Sequence, residues 1–289
     1  MKKVIVIVGP TGSGKTGLSI KLAQAFSAEI INGDSVQVYE GLDIGSAKIK
    51  ASEQEGVPHH LFEIAKPKDA YSVYHFQRDA RQLMNQIERP MIVGGTGLYI
   101  KAALYDYEFV EQKRDHLFDE MYHSLSNAEL YRLLMQFDPE IIVDQNNRRR
   151  ILRALEQVLH GEPRSQKKKK DELLYDPLIL YLDLDRTLLE TRLRQRLELQ
   201  LEAGFIQEVI GLFEKNIKVN AIGYRELAHY LEGTLSLEEA KEAIIKASKK
   251  LAKKQKTFFK NQMHPIILDA LSPTLFEDAK KLIERFLGD

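Results

Sequence analysis

The 289-residue chain contains no cysteine. That removes disulfide frameworks, thiolate metal sites and cysteine nucleophiles, and it fits a reducing compartment. An excess of either charge is also missing, because 42 Lys plus Arg balance 42 Asp plus Glu. A surface for a polyanion would therefore have to come from local segregation of charge. Long apolar runs are absent too. The run at 4–8 stops at Gly9, too short for a signal segment or a bilayer span, so a cytoplasmic location without a membrane partner is expected. No repeat at solenoid period is visible. What remains is 44% hydrophobic, which excludes a disordered chain and suffices for one substantial domain plus an insert.

Short β-branched runs at 4–8, 29–32, 91–93, 178–184 and 266–268 alternate with helical spacing at 14–26, 72–88, 186–202, 204–215, 236–260 and 275–286. This alternation predicts an α/β fold, a parallel sheet with helices on both faces, which a Walker A pattern at 9–16 makes P-loop NTPase-like. Ser236 with Glu239 forms a capping-box start for the long helix. Between Asp106 and Asp176 strand signals vanish and charges crowd around Asp138-Pro139, Gly161-Glu162-Pro163 and the lysines 167–170, with a helical piece at 149–159. A mostly helical insertion is expected at 111–173, within a core made of 1–110 and 174–289. Its lysine run suits either a solvated loop or a nucleic-acid contact.

Gly9-Pro10-Thr11-Gly12-Ser13-Gly14-Lys15-Thr16 fits the Walker A pattern, between an apolar strand and a helix. Backbone N–H groups of such a loop wrap a di- or triphosphate, Lys15 reaches its oxygens and Thr16 can ligate Mg²⁺. The motif does not say which molecule carries the phosphates. If the first two strands are neighbours, Asp34 falls beside this loop, where a carboxylate can hold Mg²⁺ through water, act as general base, or simply cap a turn. Gly94-Gly95-Thr96-Gly97 ends another strand on the same sheet edge and suits either close approach to a substrate or a tight turn. Arg192 and Arg196 share a helix face while Arg194 points away; the pair can clamp a departing diphosphate or form a solvated face. Eight lysines between 241 and 260, against the single acid Glu242, could track a phosphate backbone, with an apolar stripe through Ile244, Ala247, Leu251 and Phe258 on the other side.

Taken together these segments resemble the tRNA dimethylallyltransferases, or tRNA isopentenyltransferases. The matching pieces are 9–16, the Asp34 to Tyr39 stretch continuing through Gly41 to Lys48, and Gly94 to Tyr99. Gln145 to Arg149, Arg153 to Glu156, Ala221 to Glu226 and the lysine-rich stretch ending at Lys260 complete the set, in family order. The resemblance implies transfer of a dimethylallyl group from dimethylallyl diphosphate to N6 of the adenine 3′ to the anticodon, position 37, of tRNA. Lys15, Arg192 or Arg196 would stabilise the leaving diphosphate held by 9–16, Asp34 would accept or orient the N6 proton, Thr16 would hold Mg²⁺ and Thr96 would lie in the reaction channel. It also implies tRNA contacts at Asp34, Ser35, Val36, Gln37, Gln145, Asn146, Asn147, Arg148, Arg149, Gly223, Tyr224 and Arg225, with the insert gripping the anticodon loop of a monomeric enzyme. Extrusion of the adenine would require such a grip. A small-molecule or nucleoside kinase could use the same P-loop with ATP, but would leave Asp34 to Lys48 and the insert unexplained. A switching ATPase would need a Walker B strand; Leu180 to Asp185 offers one, better assigned to the return from the insert.

Overall fold

The computed structural model describes residues 1–107, 116–163, 165 and 172–288. Its contacts divide the chain into two compact units, Met1–Tyr105 with Leu173–Asp289, and Asp106–Glu172. The lysines 167–170 and the expected boundary at 110 and 111 lie outside the described residues.

The larger unit is built on strands β1 (Lys3–Val8), β2 (Glu29–Asn32), β3 (His59–His60), β4 (Pro90–Gly94), β5 (Asp176–Asp183) and β6 (Ile266–Asp269). They form one six-stranded sheet in the order β3-β2-β4-β1-β5-β6, every pair parallel. β1 is central, so both of its faces are covered and a continuous apolar run is what the position demands. Val4, Val6 and Val8 enter one core with Phe76, Ile100 and Phe259, while Ile5 and Ile7 enter the opposite core with Leu22, Phe26 and Ile283. Each such side chain contributes about 2 kcal/mol by leaving water. On the first face lie α2 (Val73–Gln86), α3 (Gly97–Leu104) and the end of α10 (Leu237–Met263), and on the second α1 (Lys15–Phe26) and α11 (Leu275–Leu287).

A third apolar cluster joins α7 (Arg186–Glu202), α8 (Phe205–Glu214) and α9 (Tyr224–Leu231) to the first half of α10. Ser236 starts α10 by accepting from Glu239 N, while its own N–H donates to the Glu239 carboxylate at 2.8 Å. The buried residues of α10 are Ala240, Ile244, Ile245, Ala252, Phe259 and Met263. The expected stripe is thus displaced: Leu251 is exposed and Phe258 only partly buried.

The Asp106–Glu172 unit contains α4 (His116–Met121), α5 (Asn127–Phe137) and α6 (Arg148–Leu159). Leu130, Leu134, Ile151, Leu152 and Leu155 form its own core.

The condition on strand adjacency is not met, although Asp34 still lines one cavity with the P-loop. β2 does not neighbour β1, because β4 lies between them. The turn after β4 therefore separates Asp34 from the P-loop in the sheet, and Gly94 allows the approach: a Cβ there would lie 2.3 Å from the Gly33 backbone.

Candidate active site

The loops following β1, β2 and β4 meet at the carboxyl edge of the sheet, where open parallel sheets bind ligands. After β1 the chain turns through Gly9 to Gly14. A Cβ on Gly9 would lie 2.7 Å from the Leu182 carbonyl, and Gly12 and Gly14 have φ of 83° and 84°, a region in which glycine alone is unstrained. Gly14 thus delivers the chain into α1 at Lys15. The Lys15 ammonium folds back to donate to the carbonyls of Gly9 and Pro10, both at 2.8 Å. Burial pushes it down to about 8, the Asp34 carboxylate opposes this, and Arg196 adds to the lowering. An arriving anion would favour the charged form of Lys15 and raise the pKa again.

Two cavities flank this loop. The first, about 330 Å³, is lined by Thr11, Gly12, Gly14, Lys15 and Thr16 on one side and by Gln37, Ala47 and Gly94 on others. The second, about 310 Å³, is a channel between helices, lined by Leu193, Leu197, Phe205, Ile244 and Ile245 among others. Thr11, Asp34, Ser46 and Arg196 belong to both walls. A carboxylate and a guanidinium therefore stand where a phosphate chamber opens into a largely apolar channel.

Asp34 is held in place by its neighbours. Its N–H donates to Asn32 Oδ1 at 2.9 Å, and its Oδ1 accepts from Val36 N at 2.8 Å. The turn-capping role and a place in the cavity wall thus coexist, since the second carboxylate oxygen is left for a ligand. Thr96, expected in the channel, lines neither cavity. Its hydroxyl accepts from Ser35 N at 3.0 Å and donates to Ser35 Oγ at 3.2 Å, so it fixes the turn that carries Asp34. Val36 lines the channel. Gln37 lines the phosphate chamber, with its Nε2 donating to Ser46 O at 3.0 Å.

The two arginines of α7 divide their work. Arg192 donates to the Gly12 carbonyl at 3.0 Å and braces the P-loop crest, whereas Arg196 enters the shared wall and reaches Ser46 O at 3.3 Å. Burial lowers the Arg196 pKa and Asp34 opposes the shift. Arg194 faces Glu190 and Glu242 instead.

The remaining expected contacts fall elsewhere. Tyr224 is 2% exposed and gives its hydroxyl to Glu208 at 2.6 Å, which makes it a structural residue of the channel wall beside Gly223. Arg225 is half-exposed and pairs with the buried Glu226. In the helical unit, Arg148 donates to the carbonyls of Leu125, Tyr122 and His123, an internal brace rather than a free cation. Asn147 caps α6 through Arg150 N, while Gln145, Asn146 and Arg149 are exposed.

Sequence reading missed three residues. Glu208 accepts the backbone N–H groups of Asp43, Ile44 and Gly45 at 2.7–3.0 Å, and Gln200 donates to the carbonyls of Ile44 and Gly45. Gln255 lines the channel and donates to Gly95 O at 2.9 Å. None sits in a spacing that distinguishes it from a surface residue of an ordinary helix.

No group of three or more His, Cys, Asp or Glu among the described residues is arranged to hold a metal ion. The phosphate chamber is lined by one carboxylate, Asp34, and by the hydroxyl residues Thr11, Thr16, Ser19 and Ser46, of which Ser19 and Ser46 give their hydroxyls to backbone carbonyls. So few hard oxygen donors fit Mg²⁺, which keeps waters and takes the rest of its shell from substrate phosphates. No described helix is long and apolar enough to cross a membrane.

Residues 37–262 match the family described as IPP transferase, and residues 2–62 the family described as isopentenyl transferase. The tRNA dimethylallyltransferase of Acholeplasma laidlawii (strain PG-8A) is 50% identical over 288 residues, covering 100% of both chains. Among solved structures, the tRNA delta(2)-isopentenylpyrophosphate transferase of Staphylococcus epidermidis superposes with a TM-score of 0.75 at 35% identity, covering 100% of this chain and 99% of that one. A eukaryotic dimethylallyltransferase acting on tRNA gives a TM-score of 0.84 at 30% identity, covering 99% and 78%. With P-loop, carboxylate turn and channel wall all present on a fold shared along its whole length, the chain belongs to the tRNA dimethylallyltransferase family.

Proposed function

We propose that the protein transfers the dimethylallyl group of dimethylallyl diphosphate to N6 of the adenine 3′ to the anticodon, position 37, of tRNA, releasing diphosphate. The observation that carries this reading is the wall shared by the two cavities. Asp34 and Arg196 both border a P-loop chamber and a separate apolar channel, so a diphosphate from one side and a base from the other would meet at these side chains.

The diphosphate lies against the backbone of Gly9 to Gly14, with Pro10 and Thr11 at its rim. Lys15 exchanges the Gly9 and Pro10 carbonyls for phosphate oxygens, and Arg196 neutralises the charge that grows as the C1–O bond breaks. Arg192 acts through the loop it braces. The N6 lone pair forms the new bond to C1, the bonding pair of C1–O leaves with diphosphate, and the N6 proton passes to the Asp34 carboxylate. Thr96 keeps that carboxylate in register through Ser35. Thr16, with Asp34 through water, would hold Mg²⁺, which supplies charge neutralisation to the diphosphate when bound. Leu193, Leu197 and Ile244 exclude water from the allylic carbon. Gln145, Asn146, Asn147 and Arg149 of the helical unit grip the anticodon loop of a tRNA bound to a monomer, and Arg225 of the larger unit is a separate tRNA contact.

Incubation with unmodified tRNA, Mg²⁺ and dimethylallyl diphosphate, followed by nucleoside mass analysis, tests this. A prenyl mass on adenosine without ATP is expected. Consumption of ATP with no adduct would move the assignment to a kinase.

A further inference from the structure

Gln255 stands in the channel wall with Asp34, on the helix whose lysines face outward. Its Nε2 donates to Gly95 O at 2.9 Å. A carbonyl can only accept, so this bond fixes which way the carboxamide faces, with Oε1 turned from Gly95. The contact is close enough that Gly95 admits no side chain: a Cβ there would lie 2.5 Å from Gln255 Nε2 and 3.6 Å from Gly9 O. The amide thus sits at the joint between the P-loop and the turn after β4, next to the reacting centre.

Neither Oε1 nor the second hydrogen of Nε2 has a partner among the described residues. The other amides of the channel each have one end engaged. Gln200 is held by the carbonyls of Ile44 and Gly45, and Asn220 Oδ1 takes Arg225. Arg196 offers only donors, and Ser248 a lone hydroxyl.

We infer that Gln255 reads the base, its Oε1 accepting one N6 hydrogen of adenine and its free Nε2 hydrogen donating to N7. This rests on the transfer reading above. Glutamine makes the same two-bond match to the N6/N7 edge of adenine in nucleic-acid grooves. Here it gives each N6 hydrogen its own acceptor: Asp34 takes the proton that leaves, and Gln255 holds the one that stays. Fixing N7 as well sets the ring plane, and with it the direction of the N6 lone pair toward the allylic carbon. Gln255 is a specificity residue that exchanges no proton.

The test compares kcat/KM for anticodon stem-loop RNAs carrying adenosine or 7-deazaadenosine at the acceptor position, with dimethylallyl diphosphate as donor. The wild type should lose about tenfold on the 7-deaza RNA. Gln255→Leu should be slower on adenosine and treat the two RNAs alike, and Gln255→Met, unbranched and close in length, should do the same if the leucine variant folds poorly. Because each protein is compared with itself, loss of the Gly95 bond cancels from the ratio. A wild type indifferent to N7, or variants that keep its discrimination, would overturn the assignment of Gln255 and leave the transfer reading standing. Absence of transfer to either RNA by the wild type would remove both.

Discussion

Glu208 accepts the Tyr224 hydroxyl at 2.6 Å, and the same carboxylate accepts the backbone N–H groups of Asp43, Ile44 and Gly45. Four donors from two segments far apart in the chain converge on one side chain of α8, tying the loop that lines both cavities to the helices behind it. Burial, and next the hydrogen bond to Glu208, push the Tyr224 pKa up, so the hydroxyl stays a donor at any working pH. Glu208→Ala should cost about 3 kcal/mol, since charge-assisted bonds are lost and donors are left unpaired. Urea unfolding measures the cost, and faster amide exchange confined to Asp43–Lys48 would locate it. An unchanged midpoint would contradict the anchoring role.

Asp34→Ala and Asp34→Asn separate the turn from the chemistry. The asparagine can still accept from Val36 N, so the local geometry survives, but neither variant can take a proton from N6. Both should lower turnover by about 10² to 10⁴ while donor affinity stays within a few-fold. Wild-type turnover in Asp34→Asn would rule out the base role.

Lys15 makes donor binding pH-dependent. Its pKa falls from 10.5 to about 8 through burial, Asp34 opposing and Arg196 adding, so the fold disfavours the charged form. Below pH 8 the lysine is charged in both folded and unfolded chains and carries its desolvation cost. Between about 8 and 10.5 only the unfolded chain keeps the proton, and the contribution of Lys15 to stability rises with pH. Diphosphate binding needs the cation, so it runs the opposite way: affinity should fall above pH 8 by up to about tenfold per unit. In Lys15→Arg the charge persists and this loss of affinity should be absent across that range. Titration calorimetry with inorganic diphosphate from pH 7 to about 10 distinguishes the two. A flat wild-type profile would mean that Lys15 does not deliver a charge to the ligand.

Sequence made the central strand and the P-loop legible because five consecutive apolar residues, all β-branched and too few for a helix, end at once in the glycines of the loop. The spacing of Arg192 and Arg196 likewise puts them on one face. Their different partners, Gly12 O and the shared cavity wall, depend on how α7 lies across the loop, and no local pattern encodes that. β3 escaped because two residues, His59 and His60, carry no periodicity. α3 and α9 escaped because Gly97 and Gly223 open them and read as turns. Strand order was unreadable in the same way, since adjacency of β1 to β4 is decided by crossovers and not by either strand's composition.

Glycines show the same limit and give a contrasting pair of substitutions. Gly94 and Gly17 look alike in sequence, one ending a strand and one beginning a helix. A Cβ on Gly94 would fall 2.3 Å from the carbonyl carbon and oxygen of Gly33, rigid backbone that carries Asp34. A Cβ on Gly17, inside α1, would meet nothing within 4 Å. Gly94→Ala should therefore destabilise by about 3 kcal/mol, as overpacking against backbone does, and lower turnover by displacing Asp34. Gly17→Ala should stabilise by about 0.5 to 1 kcal/mol, because alanine loses less conformational freedom in a helix, and should leave diphosphate affinity unchanged. Urea unfolding of the two variants beside the wild type checks both signs. Equal and small effects would mean that β2 and β4 are not pressed together at Gly33 and Gly94, and with that the close approach on which the position of Asp34 depends would be lost.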